Sequence, residues 1–140
     1  MSSLLSDHAI NDNLSQNVEI KATIKKGRGV FAKKTFAKDE LIESCQIIPF
    51  SSEDADKIEL TFLSNYWFAW KTDEEPGQYG AICLGNGSLY NHSNHPNAHV
   101  FKDYDHNLIH FIASDNIPAG SEITIKYGTI WFKEEEELEQ

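Results

Sequence analysis

The stretch Tyr90-Asn91-His92-Ser93-Asn94-His95-Pro96-Asn97 constrains this chain more than any other, because it cannot form a core. Four Asn or Ser side chains, two imidazoles and a proline cap turns and hydrogen-bond polar ligands, but they bury little apolar surface. Ala81-Ile82-Cys83-Leu84 before it and Val100-Phe101 after it read as strands. The segment is therefore expected to be a polar loop pinned on two sides by sheet, which is how binding loops are usually presented. Asn, Ser and Pro clusters are also ordinary loops. Two further stretches decide between the readings: Lys26-Gly27-Arg28-Gly29-Val30-Phe31-Ala32 upstream, and Gly120-Ser121-Glu122-Ile123-Thr124-Ile125-Lys126-Tyr127-Gly128 downstream.

The rest of the chain supplies a scaffold of short strands. Residues 1–17 are polar and aperiodic and read as a flexible arm; period-two alternation begins at Val18 and runs to Ile24. Gly27-Arg28-Gly29 breaks it, and Val30-Phe31-Ala32 resumes extended structure. Leu41 to Ile48 reads as a strand stopped by Pro49. Ser51-Ser52-Glu53-Asp54 is an N-cap with acids in the first turn, predicting a short helix through about Lys57. Leu63 to Trp70, with four aromatics in its last five residues, reads as a strand with rings on both faces, most of them core. Tyr79 to Leu84 follows as a strand, then Ala98 to Tyr104 and Leu108 to Ala113 as a hairpin, then Glu122 to Tyr127. Many short strands without βαβ alternation make the fold mainly β. The chain divides into the arm 1–17, one domain over 18–132 and an acidic tail 133–140.

At 140 residues the chain can bury a core without disulfides or metal. Twelve Lys and Arg against 22 Asp and Glu give a net charge of -10, which argues against direct nucleic-acid binding and favours a basic partner. Cys45 and Cys83 sit in apolar runs and read as buried free thiols, with a disulfide as the alternative. The N-terminus carries no signal-peptide pattern, and no stretch reaches transmembrane length, so an intracellular protein, cytoplasmic or nuclear, is expected.

Asn91-His92-Ser93 with Pro96-Asn97 three residues later, then Glu122 to Gly128 after a hairpin, resembles the SET-domain family of protein-lysine methyltransferases. The resemblance covers roughly Val18 to Phe132. It implies the β-clip fold of several short sheets, with a knot-like crossing near the C-terminus, and S-adenosylmethionine as methyl donor. Lys26, Gly27, Arg28 and Gly29 would then wrap the methionine end of that cofactor. Asn91 would accept from its ammonium, His92 would meet the adenine through main chain, and Trp131 or Phe132 would stack on it. Ordinary docking of a C-terminal segment is the other reading of that pair. The resemblance makes Tyr127 the catalytic residue and sets Tyr66, Tyr90 and Ile125 around the substrate channel. It implies a basic protein or peptide as substrate, with a histone-like tail as one example. Family members often carry a Cys after the triplet and a zinc segment after the tyrosine; here Asn94 follows, and Lys126 stands where an acid is common. Short tail or second subunit would close the pocket, so a homodimer is reasonable.

Two rivals remain at this level. A SET-like interaction module with weak or no activity would differ only in the use made of Tyr127 and the cofactor residues. A metal site built from His92, His95, His99, His106 and His110 lacks helical spacing and a Cys or Asp partner, so no metal is expected.

Overall fold

The computed structural model describes residues 17–70 and 78–127, and these form two sheets. The first has the order β1-β2-β9-β6, from β1 (Val18–Ala22), β2 (Arg28–Ala32), β9 (Glu122–Ile125) and β6 (Asn91–His92). The second has the order β4-β5-β3-β8-β7, from β4 (Trp67–Ala69), β5 (Gly80–Cys83), β3 (Leu41–Phe50), β8 (Leu108–Ala113) and β7 (Ala98–Asp103). Among the described residues no helix is long and apolar enough to cross a membrane.

Period-two patterning places one face of β3 and of β8 inward. Along β8, Ile109, Phe111 and Ala113 are buried while Leu108, His110 and Ile112 are partly exposed. Val30, Phe36, Trp70, Tyr90, Phe111, Ile117 and Ile123 are among the side chains that meet in one core. Cys45 and Cys83 are free and buried within it. The hydrogen bond with Cys83, reinforced by burial, pushes the Cys45 thiol far above its ordinary value, so it behaves as an inert small hydrophobe.

Several strand bounds shift by a few residues, β1 ending at Ala22 rather than Ile24 and β9 at Ile125 rather than Tyr127, and two further shifts have a clear cause. The strand expected to stop at Pro49 runs on to Phe50. Leu84 N–H donates to Gln46 O, and alternation from that pair puts Pro49, opposite Ala81, at a non-hydrogen-bonded position. The missing N–H would have pointed away from β5, on the side where β8 pairs with β3 no further than Gln46, so no ladder bond is lost. The strand expected over Leu63 to Trp70 begins only at Trp67. Thr61 accepts from Leu63 N–H and caps a 3-10 turn over Phe62–Asn65, and this local hydrogen bond outweighs the β propensity of the leading residues. Rings do cover both faces of the remainder: Trp67 packs on Phe50 at 5.5 Å between centroids, and Phe68 on Phe111 at 6.3 Å. The short helix α1 (Ser52–Ile58) is present, with Ser51 Oγ accepting from Asp54 N–H.

Close packing between β5 and the turn after it requires a glycine at position 87. A Cβ there would lie 2.1 Å from Cys83 Sγ and 3.3 Å from Phe111 Cε1. Gly87→Ala is therefore expected to lower the unfolding free energy by about 1–3 kcal/mol, the usual cost of overpacking. Urea titration of the two proteins checks it, and equal midpoints would contradict the packing described.

Candidate active site

The polar stretch and the downstream strand meet directly. β6 runs parallel to β9, with Asn91 opposite Thr124 and His92 opposite Ile125, and Ser93 N–H extends the pairing to Ile125 O at 2.9 Å. Two residues of parallel ladder are weak alone, and side-chain amides from the same polar stretch reinforce them. Asn97 Nδ2 donates to Glu122 O and Asn97 Oδ1 accepts from Thr124 N–H, both at 2.9 Å, so one side chain replaces a missing neighbouring strand.

Asn91 ties in the upstream glycine segment. Its Nδ2 donates to Arg28 O at 2.9 Å and to Glu122 Oε2 at 2.8 Å. With both amide hydrogens committed, what Asn91 offers a ligand from its amide is the acceptor Oδ1. Gly29 sits beneath this contact, where a Cβ would come within 2.4 Å of Glu122 Oε2 and 2.7 Å of Asn91 Nδ2. Gly27 needs its freedom for a different reason, a φ of 76° in the turn from β1 to β2. Lys26 Nζ donates to His92 O at 3.1 Å. The structure thus brings Lys26, Gly27, Arg28, Gly29, Asn91 and His92 together, although they lie more than 60 residues apart in sequence.

Tyr127 lies two residues past the end of β9 and is half-buried. Its N–H donates to His92 Nδ1 at 2.9 Å, and the rings are 5.2 Å apart. A main-chain N–H can only donate, so His92 Nδ1 is an acceptor and the neutral ring carries its proton on Nε2, 3.0 Å from Asn94 Oδ1. The Tyr127 phenol donates to Tyr90 O at 2.9 Å. Burial first, then the neighbouring Tyr66 and Glu122, hold that phenol above its ordinary pKa, so it is neutral near physiological pH.

Tyr127 lines a hollow together with Tyr66, Tyr90 and Ile125, walled on one side by Asn65, Trp67 and Phe68 and on another by Gly87 and Ser88. Ser88 Oγ bonds to Tyr66 O at 3.0 Å and to Cys83 O at 3.2 Å, which fixes the main chain behind the second tyrosine. Tyr90 contributes differently from Tyr66. Its ring is 1% exposed and its hydroxyl donates to the buried Glu43 at 2.5 Å, so its polar contribution to the hollow is its carbonyl. Burial and the adjacent Glu43 carboxylate push the Tyr90 hydroxyl well above its ordinary value, which keeps it a donor. Trp131 and Phe132 lie outside the described residues.

Glu122 was missed in the sequence. It is the one acid in a strand otherwise of Ile and Thr, five residues before Tyr127, and that isolation was the available signal. Three imidazoles of the metal alternative have other partners: His99 bonds to Ser114, His110 to Ser44, and His106 and His110 share the Asp103 carboxylate. Among the described residues no group of three or more His, Cys, Asp or Glu side chains is placed to hold a metal ion.

Comparison with known proteins agrees with this geometry. A family model described as the SET domain matches residues 27–128. A Schizosaccharomyces pombe protein named as a histone-lysine N-methyltransferase specific for histone H3 lysine-37 is 33% identical over 120 residues, covering 84% of this chain and 78% of its own length. A Plasmodium falciparum protein solved as a candidate histone methyltransferase aligns with a TM-score of 0.66 at 31% identity, over 85% of this chain and 99% of that one. A Neurospora SET-domain histone lysine methyltransferase shares the fold with a TM-score of 0.63 at 21% identity, over 81% of this chain and 52% of that one.

The unequal roles of two tyrosines can be measured. Tyr90→Phe leaves one oxygen of the buried Glu43 carboxylate, Oε1, without its hydroxyl donor and is expected to cost about 1–3 kcal/mol of unfolding free energy. Tyr127→Phe removes a bond between a half-buried hydroxyl and a carbonyl and should cost about 1 kcal/mol or less. Urea unfolding of both variants tests this, and the reverse order would show the Tyr90 assignment to be mistaken.

Proposed function

We propose that this chain, which belongs to the SET-domain family of lysine methyltransferases, moves a methyl group from S-adenosylmethionine to the ε-amine of a lysine in a basic protein or peptide. One observation carries the reading: the Tyr127 phenol donates its hydrogen bond to the Tyr90 main-chain carbonyl at the hollow, and so presents oxygen lone pairs to an incoming amine. The names of the relatives make a histone tail the first substrate to try, and a net charge of -10 favours a basic segment.

The donor set suits the methyl donor. The Asn91 Oδ1 acceptor and the Glu122 carboxylate, which bonds to Asn91 Nδ2, complement an α-ammonium, while Lys26 and Arg28 complement an α-carboxylate, which glycine main chain can approach closely. When bound, the donor supplies a sulfonium methyl whose positive charge lowers the pKa of a nearby ammonium. The chain's own part is to orient and to exclude water. A free lysine near neutrality is protonated, and removing that proton costs about 4–5 kcal/mol on its reference pKa. Burial in the hollow lowers the cost. Among the described residues that line it none is a carboxylate, so the ammonium, its pKa lowered in the hollow, gives its proton to solvent water rather than to a dedicated side-chain base. Tyr127 Oη then accepts from the amine's remaining hydrogens and aims its lone pair, with Ile125 filling the space beside it. The number of methyl groups added depends on that space. A homodimer stays part of the reading on the sequence argument alone.

Calorimetric titration of S-adenosylmethionine is the direct test. Asn91→Ala is expected to weaken binding by about tenfold or more, the scale of losing a charge-assisted acceptor. Tyr127→Phe should bind within about twofold of wild type yet lose about a hundredfold or more in kcat on a histone substrate. A folded wild type that binds no S-adenosylmethionine sinks the reading and leaves the fold as an interaction module. A pH profile adds a second check. Activity should climb from pH 7 to about 9 as the substrate amine deprotonates. Tyr127, displaced upward, should impose no descending limb there; a limb below pH 9 that vanishes in Tyr127→Phe would contradict the role given to the phenol.

A further inference from the structure

The 3-10 turn that leads into the hollow presents large apolar side chains to solvent. Leu60, Phe62 and Leu63 are 87%, 79% and 50% exposed within four successive residues. Their backbone is held by local hydrogen bonds. Leu60 and Thr61 N–H donate to Lys57 O and Ile58 O, Thr61 Oγ1 donates to Ile58 O at 2.7 Å, and Leu63 N–H donates to Thr61 Oγ1 at 3.2 Å. Apolar groups grouped on a fixed turn, and excluded from the core, mark a recognition surface more than a folding contact. The group is continuous with the hollow: the Phe62 ring lies 5.6 Å from the Tyr66 ring, and Asn65 and Tyr66 belong to the wall that Tyr127 completes.

We propose that Leu60, Phe62 and Leu63 form a subsite for the substrate chain, taking an aliphatic or aromatic side chain one or two residues from the target lysine. The inference rests on the reading above that the lysine enters the hollow. An extended chain advances about 3.3 Å per residue. A lysine entering beside Tyr66 therefore carries its first or second neighbour across Phe62, since the two rings are 5.6 Å apart. Charge selects the occupant. Helix α1, immediately before the turn, exposes Glu53, Asp54 and Asp56, with Glu59 just after it, against the single cation Lys57. An apolar centre with an acidic rim suits a segment that is apolar near its lysine and basic beyond. It disfavours a second copy of this chain, whose net charge is -10.

The test uses the whole chain and a set of peptides built on the lysine-37 segment of histone H3, with Leu or Gln placed one or two residues to either side of the lysine. Peptide affinity is read by fluorescence anisotropy, and kcat/KM by methyl transfer from S-adenosylmethionine. Wild type is expected to favour Leu over Gln at one of these positions by about five- to tenfold in both readouts, as partial burial of one aliphatic side chain provides. Phe62→Ser and Leu60→Ser, both at exposed positions, should bring that ratio to near unity while leaving the Gln peptides within about twofold of wild type. Peptides methylated with no such preference, or a preference that survives both substitutions, overturn the subsite and leave the methyltransferase reading intact. Self-association of wild type that Phe62→Ser abolishes with the preference unchanged overturns it in favour of a contact between copies. Failure to methylate any peptide, with no S-adenosylmethionine bound, defeats the methyltransferase reading, and the subsite falls with it.

Discussion

The parallel contact of Asn91-His92 with Thr124-Ile125 is the constraint from which the candidate site follows. Two residues of parallel ladder could not hold a polar loop in place alone, since short parallel pairs are the weaker kind. What holds them is a set of side-chain hydrogen bonds drawn from the loop itself. Asn97 occupies both a carbonyl and an N–H of β9, Asn91 reaches Arg28 O and the Glu122 carboxylate, and His92 accepts the Tyr127 N–H. The amides that make this segment useless as core make it able to substitute for a strand. The stretch also positions Tyr127, whose main-chain N–H bonds to His92 and whose hydroxyl bonds to the Tyr90 carbonyl.

Polar groups are used inside this protein in two ways. Around Asn91 they stay partly exposed, and with both Asn91 amide hydrogens donated its remaining polar atom is an acceptor, which suits a ligand. Around Glu43 they are closed: the Tyr90 hydroxyl and the Cys45 thiol both point to a carboxylate that is 6% exposed. A buried carboxylate with donors on both oxygens is stable only as long as both remain, which ties the geometry of the Tyr90 carbonyl, and hence of the Tyr127 phenol, to the core. The Gly87 contact with Cys83 sits on the same wall.

Much of this was legible in the sequence. Turn residues and period-two runs placed most strands within a few positions, because those signals are local. The meeting of Lys26 to Gly29 with Asn91, and the crossing of the Asn91 to Asn97 stretch with the segment ending at Tyr127, were legible through a family resemblance, since no local signal joins residues so far apart. What escaped was set by partners distant in sequence. Tyr90 sits in a polar run and reads as a loop or channel residue, yet its hydroxyl is claimed by Glu43, 47 positions earlier. Glu122 reads as a strand terminus until Gly29 is seen to make room for it. Pro49 reads as a stop, and only the register against β5 shows that its missing N–H faces no strand.

The most direct test of the central claim is a crystal structure of the protein with S-adenosylhomocysteine and a lysine peptide. Near-attack geometry requires reacting and orienting atoms within about 3–3.5 Å. The account predicts the lysine amine at that distance from Tyr127 Oη, with the amino-acid end of the cofactor product against Asn91 and the Lys26 to Gly29 segment. A lysine bound elsewhere, or a cofactor product away from Asn91, would contradict it.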